Sequence, residues 1–378
     1  MLDIVRGLIA WTPMGLPAFL FVITLVVFFH ELGHFLVARA FGVKVDVFSV
    51  GFGKEIFGWT DRRGTRWKVS WLPIGGYVKF AGDADASSRP DPDAASKMTL
   101  AEREGALMFK PVGQRALVAA SGPFANFVLA IVLLTGIFLY TGHATVAPII
   151  GSVKAGTPAA AAGILPGDRV TRVDSTQITD FQQLPQIISV ASGEPLAIGI
   201  HRGNRDLTLW VTPKRIPTRD ILGNKVNQMM IGVSPDPKAP VTRENYGPIG
   251  AFSAACGETW NIIQTTILGI SRMITGHGGA DQLSGPVGIA KMTRQVADIG
   301  FLPLLNLVAI LSVSIGLANL FPIPLLDGGH LLYYGVEAVS GRPLDERAQD
   351  VGFRLGLVLV LGLMLLTTWN DLVRLNLF

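Results

Sequence analysis

The chain has 378 residues, of which 49% are hydrophobic and only 16% are charged, with a formal net charge of +4. Soluble proteins carry about 25% charged residues, so this composition predicts a membrane protein. No dense Lys/Arg stripe with interleaved aromatic residues is present, which argues against a nucleic-acid partner. The single cysteine excludes an intramolecular disulfide and a cysteine-rich zinc site.

Four apolar stretches reach the roughly 20 residues that a helix needs to cross a bilayer. The fold class we predict is a polytopic α-helical membrane protein whose four transmembrane helices cover residues 16–38, 117–140, 301–323 and 353–369. A fifth stretch, 249–274, carries apolar residues such as Trp260 and Ile267 at helical spacing, with Glu258 on another face. We interpret this stretch as an amphipathic helix on the membrane surface.

The charge distribution predicts the orientation. Residues 39–115 hold 13 Lys/Arg against 9 Asp/Glu, whereas the segment before the first span holds only Arg6. The positive-inside bias places this loop in the cytoplasm of a bacterial inner membrane protein, with both termini in the periplasm. Within the loop, 67–71 and 77–80 resemble strands, and Pro73, Gly75 and Gly76 between them predict a β-hairpin turn.

The segment after the second span begins as a compact α/β module. Strands are predicted at 149–153, 169–173, 196–201 and 207–211, and short helices at 157–162 and 181–190. The predicted divisions are 1–40 (first span), 41–113 (cytoplasmic loop with the hairpin), 114–141 (second span), 142–215 (periplasmic α/β domain), 216–300 (periplasmic linker and interfacial helices), 301–330 (third span and a polar motif) and 331–378 (cytoplasmic loop and fourth span).

His30-Glu31-Leu32-Gly33-His34 forms an HExxH motif near the end of the first span. On a helix, residues four apart share a face, so both imidazoles can bind one zinc ion. Glu31 stands one position on, where it can take a proton from a water that the ion activates. Ionisable residues inside a span are costly and usually functional, which favours this interpretation over a chance pattern.

A catalytic zinc needs a third protein ligand. The best candidate is Asp327, in a stretch after the third span where Pro322, Pro324 and two glycines break the helix. His330 is the alternative ligand. Asn319 is a candidate donor to the substrate carbonyl or its oxyanion. Asn126 and Asn319 could instead be polar contacts between helices, and for Asn126 we favour that structural role.

A depth argument links these motifs. If the first span runs inward, then His30, His34, the start of the second span and the end of the third span share one depth toward the cytoplasmic leaflet. Counting 249–274 as a span would place Asp327 on the opposite side of the membrane from His30 and His34. We therefore predict that this stretch lies on the membrane surface.

Together the motifs resemble the site-two protease family of intramembrane zinc metalloproteases, and within it the RseP-type regulators of the sigma-E stress response. The likeness covers nearly the whole chain and rests on five stretches: HELGH at 30–34, IGGYVKFAGD at 74–83, SGPFANF at 121–127, SGPVGIAK at 284–291 and NLFPIPLLDGGH at 319–330. It implies one Zn²⁺ held by His30, His34 and Asp327. It also implies Glu31 as the catalytic acid/base and Asn319 as a substrate-positioning residue.

The α/β module resembles a circularly permuted PDZ domain, on the signature at 158–170. We expect its edge at Ile150 and Gly151 to accept an extended peptide by strand addition. A generic α/β adaptor is the alternative. The best-known family pattern has two tandem PDZ domains, whereas this chain has room for one.

The resemblance implies regulated intramembrane proteolysis of single-span proteins, such as an anti-sigma factor after a first periplasmic cut, or remnant signal peptides. We expect an unwound substrate to contact the hairpin at Gly75, Gly76, Tyr77 and Val78, with Asn126 as a further candidate contact. Membrane lipid is the other expected partner. A zinc transporter and an inactive PDZ scaffold are the rival functions.

Overall fold

The computed structural model describes residues 15–83, 96–189, 191, 193–219, 225–275 and 284–374. In this part of the chain, four helices are long and apolar enough to cross a membrane, as predicted. They are α1 (Gly15–Ala40), α3 (Val112–Thr141), α8 (Phe301–Asn319) and α10 (Glu346–Arg374). The other helices are α2 (Leu100–Gly105), α4 (Pro158–Ala161), α5 (Gln183–Ser189), α6 (Pro248–Ile274), α7 (Pro286–Ile299) and α9 (Asp327–Ser340). Both termini are predicted to lie in the periplasm, and residues 1–14 and 375–378 are outside the described residues.

The described strands form small antiparallel sheets. They are β1 (Val45–Thr60), β2 (Arg66–Phe80), β3 (His143–Val146), β4 (Ile150–Val153), β5 (Arg169–Val173), β6 (Thr176–Gln177), β7 (Leu196–Arg202), β8 (Arg205–Val211), β9 (Lys214–Arg219), β10 (Lys225–Met230), β11 (Val233–Pro235) and β12 (Val241–Glu244).

Small residues determine how closely α1 and α3 approach. A Cβ on Gly33 would overlap the carbonyl oxygen of Ser121 and would lie 2.8 Å from the Cβ of Ala125. The two backbones therefore touch, as at the small-residue contacts between membrane helices. Helix α8 packs against this pair through a buried cluster of Val22, Val26, Leu129, Leu304 and Val308.

Helix α6 packs lengthwise against neighbouring spans, although in the described part of the chain it is not among the helices apolar enough to cross a membrane, as predicted. Its place on the membrane surface stays a prediction. Ala255 is fully buried in a cluster with Leu134 of α3 and Val313 of α8. Farther along α6, Ile267 and Ile270 line a cavity with the end of α8. The apolar stripe of α6 thus packs on neighbouring helices, and periodicity alone does not distinguish such packing from contact with lipid.

The course of the chain after α6 preserves the depth argument. Tyr246, just before α6, contacts Phe138 near the end of α3. Gly285, just before α7, lies beside Asp371 near the end of α10, and Arg294 of α7 lies close to Gly15 at the start of α1. Helix α7 therefore begins at the end of the bundle where α6 begins. Helix α8 then runs to the depth of the HExxH motif, where Asp327 follows it.

Helix α10 is attached near its two ends. The buried carboxylate of Asp371 accepts hydrogen bonds from the backbone amides of Gly285 (3.1 Å) and Gly288 (2.8 Å). At the other end, a Cβ on Gly356 would overlap the carbonyl oxygen of Pro324. Most apolar side chains between these contacts, such as Leu365, are exposed, which suits a helix that faces lipid.

The long strands β1 and β2 are joined by a turn at residues 61–65, where the Gly64 amide donates to the Asp61 carbonyl. The predicted turn at Pro73, Gly75 and Gly76 was wrong, because these residues lie inside β2 and Gly76 pairs with Val50. They form a bend in the strand, not its end, with Gly75 at a φ of 106° that disfavours other residues.

Strand β2 runs beside α1 at the depth of the span. The Thr24 hydroxyl donates to the Pro73 carbonyl at 3.4 Å. A Cβ on Gly76 would lie 3.2 Å from Val27 Cγ1 and 3.4 Å from Glu31 Cγ. This sheet exposes large apolar side chains, namely Phe52, Ile56, Phe57, Trp59, Trp71 and Leu72. An exposed apolar surface at this depth suits lipid rather than water.

The turn between β1 and β2 is tied to the end of α1. Arg39 binds both carboxylate oxygens of Asp61, at 2.7 and 3.3 Å. Burial raises the pKa of Asp61, but hydrogen bonds from Arg39, Thr65, Trp67 and Arg63 outweigh it and lower the pKa to about 2. Because the folded-state pKa lies below the unfolded value of about 3.9, the stabilisation is present above that pH and is lost as the pH falls toward 2.

The α/β module has a four-stranded sheet in the order β6-β5-β7-β8, and its core includes Ile150, Val170, Ile198 and Ile200. The predicted boundary at residue 215 was too early. Strand β11 pairs with β4, β12 pairs with β3, and Ile231 is buried in the same core. The predicted linker therefore contains three strands. Strands β11 and β12 complete the module, and β10 extends it by pairing with β9.

The predicted peptide-accepting edge at Ile150 and Gly151 is already occupied. Ile150 donates its amide to Asp168 O and accepts from Gly167 N, and β11 pairs along the strand. A Cβ on Gly151 would lie 2.7 Å from the backbone nitrogen of Asp236. The substrate-binding prediction for these two residues was wrong, because the strand that fills this edge comes from a segment that had been assigned to the linker.

Candidate metal centre

The two histidines of the HExxH motif face each other from successive turns of α1. Their Nε2 atoms lie 3.3 Å apart, and both residues are buried. The close crossing of α3 makes room for the rings, because a Cβ on Gly122 would lie 2.6 Å from His34 Cε1 and 2.9 Å from His30 Cε1. Gly122 is therefore required where α3 passes the imidazoles.

Asp327 reaches the histidines because the chain breaks after α8 and restarts at α9, of which Asp327 is the first residue. Leu325, two residues earlier, has a φ of 107°, which is rare for a branched side chain and marks the sharp turn. Gly328 and Gly329 then pack directly on the backbone of residues 320–324. The break thus turns the chain back toward α1 and brings the Asp327 carboxylate beside the two histidines.

The distances among these three residues fit a zinc ion. His30 Nε2 lies 3.1 Å from Asp327 Oδ2, and His34 Nε2 lies 3.4 Å from Asp327 Oδ1. Ligand atoms bound tetrahedrally at roughly 2.0–2.1 Å lie about 3.3 Å from one another. The Oδ2 atom of Asp327 is buried and accepts no hydrogen bond, although His30 Nε2 lies 3.1 Å away. Among the described residues, these three form the group of His, Cys, Asp or Glu side chains whose ligand atoms converge within 4.8 Å.

A cavity of about 330 Å³ opens beside this group. Of the residues predicted to act on substrate, Glu31, Asn319, Gly75, Gly76 and Val78 line it. The backbone amide of Val78 faces the Glu31 carboxylate. The structure therefore gathers these five around the three metal-ligand candidates.

Two predicted substrate contacts lie elsewhere. Tyr77 is outside the cavity lining, and its ring stacks on Phe52 at 5.8 Å between centroids. Asn126 is completely buried, with its amide 3.3 Å from His30 Nδ1. The burial of Asn126 is compatible with the structural role that the sequence favoured, and a contact of Asn126 with substrate stays a prediction.

His330 stands one turn after Asp327 and also lines the cavity. It is not a member of the converging ligand group. The alternative of His330 as the third ligand is thus less compatible with the geometry than Asp327.

Arg115, Tyr334 and Glu337 were missed by the sequence reasoning. Arg115 and Tyr334 line the cavity, and the Arg115 guanidinium pairs with Glu337 and lies 4.9 Å from the centre of the Tyr334 ring. Burial raises the pKa of Tyr334 to about 12, so its hydroxyl remains protonated at neutral pH. Arg115 is a charged residue in the first turn of the apolar helix α3, and this was the signal available in the sequence. The sequence did not indicate that its partner is Glu337 of α9.

Comparison with known proteins identifies the family. Residues 18–363 match the model of peptidase family M50. The chain belongs to peptidase family M50. It is 40% identical to metalloprotease MmpA of Caulobacter vibrioides, over 96% of each chain. It is 42% identical to a protein of Agrobacterium fabrum that is provisionally named a zinc metalloprotease, over 94% of each chain.

This M50 chain is a membrane-embedded zinc metalloprotease, and zinc is its cofactor. The predicted family, enzyme class and metal are thereby confirmed. A solved PDZ domain of an SdrC-like protein from Listeria monocytogenes also matches, at 23% identity and a TM-score of 0.19, over 23% of this chain and 84% of the other.

Proposed function

We propose that this M50 protease cleaves single-span membrane proteins inside the bilayer of the bacterial inner membrane. The observation that carries the proposal is the convergence of His30, His34 and Asp327 beside a cavity that three apolar spans help to line. A protease of soluble substrates has no need to bury its catalytic group at this depth, where ionisable side chains are costly.

In the proposed mechanism, His30, His34 and Asp327 would hold the zinc. When bound there, the ion would supply Lewis-acid chemistry and lower the pKa of water to roughly 7. Glu31 removes the proton from the attacking water and later transfers it to the nitrogen of the leaving amine. The Val78 amide, which faces the Glu31 carboxylate, helps to hold this base in place.

Asn319 is proposed to stabilise the oxyanion of the transition state. It is the last residue of α8 and lines the cavity, so its side-chain amide is available to a bound peptide. A preorganised donor of this kind contributes about 2.7–4 kcal/mol of transition-state stabilisation in other hydrolases.

An unwound substrate segment is proposed to lie along the Gly75–Val78 stretch of β2. Helical peptide bonds are shielded by their own hydrogen bonds, so cleavage requires an extended segment, and an exposed strand edge provides partners for its backbone. Among the described residues, the strand that pairs with Gly76–Phe80 is β1, on one side. The opposite side is directed toward Glu31 and the cavity.

A proline at Val78 tests this role. Val78→Pro removes the amide that faces Glu31 and should reduce turnover while leaving zinc content unchanged, whereas Val78→Ala keeps the amide and should retain most activity. Unchanged turnover in Val78→Pro, in protein that binds zinc normally, contradicts the strand-pairing proposal.

The orientation and the role of the module are also proposals. The positive-inside bias favours a cytoplasmic β1–β2 turn, with the active site toward the cytoplasmic leaflet and the α/β module in the periplasm. The module, with its PDZ-like sequence signature, is proposed to restrict access to substrates already trimmed on that side. An anti-sigma factor or a remnant signal peptide fits this class.

Mapping the cut in a reconstituted system tests the proposed function. The full-length protein is placed in lipid vesicles with a single-span substrate, in a trimmed and an untrimmed form, and the products are measured by mass spectrometry. We expect cleavage within the apolar segment, preference for the trimmed form, and complete inhibition by a zinc chelator. Cleavage confined to the soluble flanks contradicts intramembrane proteolysis.

A further inference from the structure

Both imidazoles present Nε2 to the metal group, so each Nδ1 must be held by something else. His34 Nδ1 lies 2.8 Å from the carbonyl oxygen of Val118. A carbonyl only accepts, so His34 carries its proton on Nδ1, and the Nε2 lone pair is free for a metal. The protein thereby fixes the tautomer of one ligand through the backbone of α3.

The corresponding partner of His30 is a side chain. Among the described residues, the group within hydrogen-bond distance of His30 Nδ1 is the amide of Asn126, with Nδ2 at 3.3 Å. A metal at Nε2 requires a proton on Nδ1, and that proton needs an acceptor. Nδ2 only donates, whereas Asn126 Oδ1 is buried and has no hydrogen-bond partner. The oxygen and nitrogen of such an amide are exchanged by a half-turn of the side chain.

We propose that Asn126 is the positioning residue for His30, accepting the Nδ1 proton at Oδ1 and so fixing the tautomer in which Nε2 binds zinc. The role extends beyond contact between helices, because it is directed at a particular atom of a metal-ligand candidate. It rests on the zinc site and is independent of the choice of substrate.

The surroundings of Asn126 hold it in one place. Ser312 of α8 donates its hydroxyl to the main-chain carbonyl oxygen of Asn126 at 2.8 Å. A Cβ on Gly316 would lie 3.0 Å from Asn126 Cβ. Helix α8 therefore packs directly against Asn126, which is completely buried.

Three variants of the full-length protein test the proposal. Asn126→Ala removes the acceptor, Asn126→Asp keeps an acceptor oxygen in place, and Ser312→Ala loosens the backbone of Asn126 while keeping its amide. Zinc affinity is measured by competition with a chromophoric chelator, and the visible spectrum of the Co²⁺-substituted protein reports the ligand geometry. Thermal unfolding of the metal-free protein measures any purely structural effect.

The expected pattern is specific. Asn126→Ala should weaken zinc binding by roughly 10–100-fold, the usual effect of removing such a partner. Asn126→Asp should restore most of the affinity and the wild-type Co²⁺ spectrum, and Ser312→Ala should change the affinity by less than about threefold. Asn126→Ala with wild-type zinc affinity, Asn126→Asp no better than Asn126→Ala, or equal losses in Asn126→Ala and Ser312→Ala would each overturn the proposal.

Discussion

Individual glycines decide whether α1 and α3 can form a metal centre. Gly33 brings the α3 backbone against α1, and Gly122 keeps that backbone clear of both imidazole rings. The sequence indicated HExxH and Asp327 because their chemistry is visible in the residue types. It did not indicate Gly122, Arg115 or the atom that Asn126 faces, because these depend on how two helices cross.

Gly122→Ala tests the crossing. The added methyl would overlap His34 Nε2, so we expect a loss of zinc binding and of proteolysis. Gly136→Ala is the matched control on the same helix, since a Cβ there meets no atom within 4 Å. Zinc content of the two purified variants is the measurement. Equal zinc content in Gly122→Ala and Gly136→Ala contradicts the proposed geometry.

At the scale of elements, hydrophobic patterns predicted the four long helices but not all of their packing. Helix α6 was interpreted as a surface helix from its apolar stripe, which did not indicate that Ala255 is buried between α3 and α8. The bend of β2 was interpreted as a turn because proline and glycine are typical of both. In each case the local pattern was correctly recognised, and the tertiary partner that determines its position lay far away in sequence.

The attachment of α10 to α7 gives a graded prediction. Asp371 accepts two backbone hydrogen bonds in a buried position, and a buried donor left without a partner costs about 1–3 kcal/mol. An asparagine provides one acceptor oxygen and an alanine none. Thermal stability should therefore decrease from wild type to Asp371→Asn to Asp371→Ala. Indistinguishable melting temperatures for the three proteins contradict this role.

Considered as a whole, the chain places its α/β module between α3 and α6. Strands β3 and β12 pair at the base of the module, with His143 opposite Glu244. The sequence revealed the module but not its closing strands, because β11 and β12 are short and follow the β9–β10 hairpin. The corrected boundaries allow the module to be removed without separating the helices that flank it.

Replacing residues 143–244 with a short Gly/Ser linker tests whether the α/β module restricts substrate access. We expect the shortened protein to cleave untrimmed substrate at a rate approaching that of the trimmed form, since the barrier to access is gone. Cleavage of the trimmed form and the zinc content serve as controls. Strict selectivity in a shortened protein that remains active contradicts the filtering role.

The central claim is that zinc held by His30, His34 and Asp327 works with Glu31 as the base. Zinc per chain and turnover of a single-span substrate, measured on the same preparations of wild type, Glu31→Gln and Asp327→Ala, test it most directly. The account predicts one zinc and no measurable cleavage for Glu31→Gln, and loss of both zinc and cleavage for Asp327→Ala. Wild-type turnover by Glu31→Gln, or full zinc retention by Asp327→Ala, would contradict it.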